Sequence, residues 1–341
     1  MLKNAALDHW LEPVEPFLGP LTAAARDFTR LTGVPVDLPT VLFLRAELAG
    51  HSLPGGTSAG GSCRLLRTAD SWAAVNLARP DDTAAVPALV ALLGSPDREL
   101  AEAAERTTAA EVARNAQLLG IAAAELGSAR GSRSPVVVHG LGQPRSLSRL
   151  RVVDFSALWA GPLCARLLGL TGADVVKVES TARPDGARFG SPDFYRWLHD
   201  GHESVVLDFF SSDALAEVVA GADVVIEASR PRALRRLGVH AERFLADRPG
   251  RVWVGITGYG RDDDRIAFGD DAAVAGGLTG TAPDGTPVFL GDALADPVTG
   301  VFAAHAVARS LARGGGELLC VSMAACAAAL AGSVGEERRS C

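Results

Sequence analysis

Leu150-Arg151-Val152-Val153-Asp154-Phe155-Ser156, Trp159-Ala160-Gly161-Pro162-Leu163-Cys164 and Gly172-Ala173-Asp174-Val175-Val176-Lys177-Val178-Glu179 follow one another along the chain. Two short, continuously apolar runs flank a segment that opens on small residues, the pattern of a buried strand, a crossover helix and a second buried strand. The same kind of run recurs at Ser204 to Phe209, Asp223 to Ala228, Arg251 to Thr257 and Glu317 to Ser322, with helical stretches between. Runs without polar alternation are buried on both faces, and strands alternating with helices pair in parallel. The second half of the chain is therefore expected to be an α/β domain with an open, Rossmann-like parallel sheet. Its first turn lacks the G-x-G-x-x-G fingerprint, which speaks against a bound dinucleotide.

Upstream the character changes. The chain to about Gly142 is rich in alanine, with helical patterning from Leu21 to Thr32 and from Glu99 to Leu126, and Thr108 with Glu111 forms a capping box inside the second stretch. Between them, Gly55-Gly56-Thr57-Ser58-Ala59-Gly60-Gly61-Ser62 reads as a flexible loop. It leads into a hairpin whose strands, Cys63 to Arg67 and Trp72 to Leu77, turn at Ala69-Asp70-Ser71. Gly127 to Arg149, rich in Gly, Ser, Arg and Pro around Val136-Val137-Val138, reads as the linker. Residues 1–146 are thus expected to form a smaller α+β domain plus linker, with its glycine-rich loop at 55–62, and residues 147–341 the large domain.

Of the 341 residues, 48% are hydrophobic and 21% charged, enough apolar material for two moderate cores. A net charge of -7 and a pI near 5.5 leave no basic stripe for nucleic acid, so an anionic ligand must meet local positive charge. Cys63, Cys164, Cys320, Cys326 and Cys341 are scattered without a C-x-x-C pair and read as reduced thiols. Lys3, Asp8 and His9 interrupt the N-terminus before any signal-like apolar run, and Met323 to Gly332 is too short to span a bilayer. These features predict a cytoplasmic protein. The histidines show no metal-ligand spacing; His199 and His202, three apart, read as a surface pair, and no metal is expected.

Four segments together resemble the family III CoA transferases (the CaiB/BaiF family), the group of formyl-CoA transferase, carnitine CoA-transferase and α-methylacyl-CoA racemase. They are the strand-helix-strand opening from Leu150 to Glu179; Ser204-Val205-Val206-Leu207-Asp208; Ala222 to Glu227 with Arg230-Pro231, Leu234 and Leu237-Gly238; and Gly255 to Gly260 followed by Gly269-Asp270-Asp271 and Leu294 to Gly300. The resemblance covers roughly residues 148 to 332. The upstream part is similar to the family's small domain at Gly60-Gly61, Leu66 to Asp70 and the Trp72 strand. Because the family's opening strand stands here at Leu150, the chain reads as circularly permuted, or as the end of one repeat joined to the start of another. The resemblance implies the family III fold, a homodimer of the family's interlocked kind, and transfer of CoA from an acyl-CoA to a carboxylic acid.

It also implies roles. Asp296 falls at the family's nucleophile, which attacks a thioester carbonyl to form a mixed anhydride. The position, directly before Pro297 and an apolar helix, also reads as an N-cap, where the helix dipole would keep a carboxylate ionised. Trp159 and Ala160 fall where the family contacts CoA, and Arg230, Ala233 and Arg236 at the turn that meets its nucleotide end. Gly60 and Gly61 belong to a glycine loop that would cover the reacting carbonyl, or else to an ordinary connector. Departures are Asp270 where racemases carry His and many transferases Tyr, Phe210 and Thr257 in place of nucleotide-binding lysines, and Ala228-Ser229 in place of an Asn-Phe pair. Asp270 and Asp296 as two convergent carboxylates would instead suit α-proton chemistry. The lost lysines leave a third reading, a member that binds acyl-CoA without turnover.

Overall fold

The computed structural model describes residues 5–131, 134–210, 212–230 and 232–337; Lys3, Pro231 and Cys341, singled out above, lie outside them. Three strands, β1 (Cys63–Arg67), β2 (Trp72–Asn76) and β3 (Ala122–Glu125), form a small antiparallel sheet in that order. The large sheet contains β4 (Val136–Gly140), β5 (Arg151–Asp154), β6 (Asp174–Ser180), β7 (Glu203–Leu207), β8 (Val224–Glu227) and β9 (Val252–Thr257). After the short hairpin of β10 (Gly280–Thr281) and β11 (Pro287–Val288) comes its last strand, β12 (Glu317–Ser322). The order across it is β4-β12-β9-β8-β5-β6-β7, parallel throughout except for β4.

All six strands expected in the second half are present within a residue or two at each end; the inner ones are buried on both faces, whereas β7, at the edge of the sheet, leaves Glu203, Ser204 and Val206 exposed. Val152, Val224, Ile226, Val254 and Val321 pack on one side of the sheet. Their chain neighbours Val153, Val225, Trp253 and Cys320 pack on the other, as the two-residue period of a strand requires. The first side is covered by the helices Ala160–Gly169, Ala295–Ala312 and Met323–Glu337, the second by Ser212–Ala220 and Ala241–Asp247. The turn into the first of these depends on Gly161, where a Cβ would overlap the Ser156 hydroxyl.

The upstream part departs from its sequence reading in three places. The helix expected from Glu99 to Leu126 is two helices, Leu100–Glu105 and Ala109–Leu118, followed by β3. The Thr108/Glu111 capping box opens the second helix, and Gly120, at φ +77°, ends the helical path. Ala122 to Ala124 then pair with β2, where burial and ladder hydrogen bonds override alanine's helix preference. Val136 to Gly140, expected as linker, is instead the edge strand of the large sheet against β12. The glycine loop is not a free connector. Thr57 bridges Arg64, Ser58 N–H donates to the Cys63 carbonyl (2.9 Å), Leu65 N–H to Gly56 (2.8 Å) and Phe289 N–H to Gly55 (2.9 Å).

The N-terminal helices Gly19–Thr32 and Leu38–Ala49 bury Leu21, Phe28, Leu42 and Phe43 in the same core as Val298, Val301 and Ala304 of the helix Ala295–Ala312. With β4, they carry the large core across the boundary expected at 146/147. The small sheet keeps its own core, Leu66, Val75, Leu89, Val112 and Ile121 among its members. The described cysteines Cys63, Cys164, Cys320 and Cys326 are free and buried. Among the described residues, no helix is long and apolar enough to cross a membrane.

Candidate active site

The chain runs from β5 outward to β6 and β7, then returns to β8 and proceeds outward on the other side to β9 and β12. The point where the order reverses lies between β5 and β8, and the crevice beyond the carboxyl ends of the strands at such a point is where α/β sheets bind ligands. Trp159 and Ala160 follow β5, and Arg230, Ala233 and Arg236 follow β8, so both expected groups flank this crevice.

Asp296 stands in the first turn of the helix Ala295–Ala312, one position inside its start. The cap position is occupied by Leu294 and not by Asp296, which corrects the capping assignment; Pro297 is still tolerated there because the first four N–H groups of a helix have no intrahelical acceptor. Ala293, just before, is held in the left-handed region at φ +46°. The Gly269 N–H donates to the Asp296 carboxylate, and a Cβ at Gly269 would lie 2.5 Å from Asp296 Oδ2. Only glycine permits that approach. Burial nevertheless pushes Asp296 up to about 7, with Asp270 and Asp292 adding to the rise and Arg45 opposing it. The helix terminus alone therefore does not keep this carboxylate in the usual range.

Asp270 converges on the same place from the helix Gly269–Gly276. Its Oδ1 accepts from the Ala293 N–H (3.1 Å), it hydrogen-bonds the Ser58 hydroxyl of the glycine loop, and burial followed by the charge of Asp292 raises it to about 6. Asp292, buried, takes Arg45 Nη1 at 3.2 Å and His51 Nδ1 at 3.5 Å. The guanidinium of Arg45 in turn sits 5.4 Å from the centre of the Trp159 ring, and its Nη2 is 3.7 Å from the place a Gly60 Cβ would take. Asp296, Asp270, Trp159 and Gly60 are thereby brought together, with Gly61 beside Gly60 at φ +79°. Ala160 is buried with its carbonyl against Gly300. Arg230, Ala233 and Arg236, which follow the carboxyl end of β8, are exposed, and Arg230 and Arg236 have no ion-pair partner among the described residues.

Sequence reasoning missed Arg45, His51, Ser58 and Asp292. For Arg45 a signal existed: it interrupts the apolar run Val41-Leu42-Phe43-Leu44 on a buried helix. A second missed device has the same signature. Lys177, a charge inside the apolar strand β6, is fully buried with Asp185 at 3.0 Å and Asp154 at 3.7 Å, and donates to the Ser156 carbonyl. Asp185 also accepts from the Leu158 N–H (2.9 Å), pinning Leu158 at φ +69° immediately before Trp159. The ring of Trp159 then packs edge-on against Phe194 at 5.1 Å. His199 and His202, expected at the surface, are largely enclosed, and burial lowers them to about 3 and about 4.

Residues 147–336 match the model of CoA-transferase family III. Among curated proteins, the chain is 36% identical over 172 residues to the succinyl-CoA--L-malate CoA-transferase beta subunit of Chloroflexus aurantiacus, 46% of this chain and 42% of that one. It is 30% identical over 186 residues to the succinate--glutarate CoA-transferase of Agrobacterium fabrum, 48% and 46%. A crystal structure of a CAIB/BAIF family protein from Brucella suis superposes with a TM-score of 0.52 at 26% identity over 58% of each chain. The chain thus spans less than half the length of these curated relatives. With the family model covering more than half of its residues, from β5 to the last helix, the chain belongs to the family III CoA transferases.

Proposed function

We propose that the protein moves CoA from an acyl-CoA thioester to a carboxylic acid, with Asp296 as the covalent nucleophile. The observation that carries this reading is the setting of Asp296: a carboxylate in the first turn of a helix, touched by the Gly269 N–H, with Trp159 and the glycine loop joined to it through Arg45 and Asp270. An Asp296 oxygen adds to the thioester carbonyl and the C–S bond breaks, leaving a mixed anhydride and CoA thiolate. The thiolate attacks the aspartyl carbonyl and releases the donor acid as its carboxylate. The acceptor carboxylate then attacks the aspartyl thioester, and the returning thiolate takes the acyl group of the new anhydride and frees Asp296. No proton or electron is gained or lost over the cycle.

Each charge the cycle moves has a counterpart. The Gly269 N–H and the helix terminus favour the ionised form that attacks. The backbone of Gly60 and Gly61 can approach a reacting carbonyl, being free of Cβ. Arg230 and Arg236, exposed after the carboxyl end of β8 and without an ion-pair partner among the described residues, fit the anionic end of CoA. The names of the relatives support the same class: one pairs succinyl-CoA with L-malate, the other succinate with glutarate. We read the order of the parts along the chain as a circular permutation and the assembly as a homodimer.

Intact-protein mass spectrometry after incubation with a panel of acyl-CoAs and hydroxylamine tests the mechanism. The expected result is a trapped adduct on Asp296, absent in Asp296→Ala. Turnover by Asp296→Ala near the wild-type rate would overturn it. A second reading is favoured by one observation: burial holds Asp270 and Asp296 at about 6 and about 7, so each is partly protonated near neutrality, as α-proton exchange requires. Deuterium entering the α-carbon of an acyl-CoA in heavy water, without adduct formation, would select it.

A further inference from the structure

Arg45 lies outside the matched family segment, on the helix Leu38–Ala49, yet it reaches the centre of the site. An acceptor acid must bring a negative charge to a place already surrounded by Asp270, Asp292 and Asp296. Among the described residues, Arg45 and His51 are the basic side chains paired with that cluster. Arg45 holds Asp292 through Nη1 alone; its Nε and Nη2 make no hydrogen bond to any described residue. Its side chain is 32% exposed where that of Asp292 is 1% exposed, so one edge of the guanidinium is anchored and the other is open. The open side lies between the Trp159 ring and Gly60, where any side chain larger than glycine would begin 3.7 Å from Nη2. A fixed planar fork with free N–H donors is the geometry that receives a carboxylate.

We propose that Arg45 binds the carboxylate of the acceptor acid, an assignment that rests on the acyl-transfer reading above. Asp292 orients the guanidinium, and the bare backbone at Gly60 keeps the approach open. Its charge reaches both Asp270 and Asp296 and opposes the rise of each, as a cation at this position must.

The test has two parts, with succinate as the probe acid. In Arg45→Met, the KM for succinate rises about tenfold or more beyond any change in the KM for the acyl-CoA, and Arg45→Lys recovers part of the loss. Equal changes in both KM values would refute the assignment. The second part uses the wild-type protein and so does not depend on either variant folding: phenylglyoxal labelling of Arg45, read by peptide mass spectrometry, is slowed by succinate and not by neutral succinamide. An Asp296 adduct without such protection would sink this inference alone. Protection by succinate in a protein that forms no adduct would sink the transfer mechanism and leave the carboxylate site standing. Neither adduct nor protection would remove both.

Discussion

Asp271 offers a test of the electrostatics that does not touch the nucleophile. It is fully buried beneath the site, its Oδ1 accepts from the Phe268 N–H (2.9 Å) and from Asn76 Nδ2 (3.1 Å), and its Oδ2 has no hydrogen-bond partner. Burial pushes it up to about 7 from an ordinary value near 3.8. A carboxyl raised in the folded state stabilises the protein below its unfolded value and loses that contribution as pH rises through the folded one. At 1.36 kcal/mol per pH unit, Asp271 alone withdraws at most about 4 kcal/mol between pH 4 and pH 8. Asp271→Asn keeps the shape and both accepted hydrogen bonds but cannot ionise. Its buried NH₂ replaces the unpartnered Oδ2 and adds a constant cost of about 1–3 kcal/mol. Urea unfolding of both proteins at pH 5, 6, 7 and 8 should therefore show the variant gaining on the wild type by about 2–4 kcal/mol across the range. A difference that stays flat with pH would mean that Asp271 is not held neutral by burial, and the same reasoning for Asp270 and Asp296 would fall with it.

Further outcomes follow from the same geometry. With whichever acyl-CoA labels Asp296, kcat/KM should rise with pH through about 7 as Asp296 ionises, and Asp270→Asn should move that inflection to lower pH by removing a like charge; an inflection that stays in place would show the two carboxylates uncoupled. Lys177→Met leaves Asp154 and Asp185 buried without their cation, an expected loss of about 3–5 kcal/mol in urea unfolding, whereas a loss below 1 kcal/mol would show the triad to be dispensable. Light scattering should report a dimer, and a monomer across the accessible concentration range would contradict the assembly we propose.

The apolar runs from Leu150 to Ser322 determined the six parallel strands of the large sheet locally. A strand buried on both faces is apolar along most of its length, and it was the repeated alternation of such short runs with helical stretches that marked them as parallel strands. The position of Asp296 before Pro297 and an apolar helix was legible for the same local reason, as was the Thr108/Glu111 cap. Three alanines at Ala122 to Ala124 could not announce a strand, because only the neighbouring β2 gives their backbone partners and their methyl groups a core. Val136 to Val138 became an edge strand for the same reason, their partners Val321, Cys320 and Leu319 on the free edge of β12 lying far along the chain.

The site itself was decided by the tertiary fold. Arg45 and Asp292 are 247 residues apart in sequence and 3.2 Å apart in space, and no periodicity links them. What the sequence does record is the anomaly each such contact leaves behind: an arginine in the apolar run from Val41, a lysine in the apolar strand around Val176. A charge in an otherwise buried segment needs a partner, and the partner's identity, with the chemistry it brings to the site, is set by how the chain packs and not by its order.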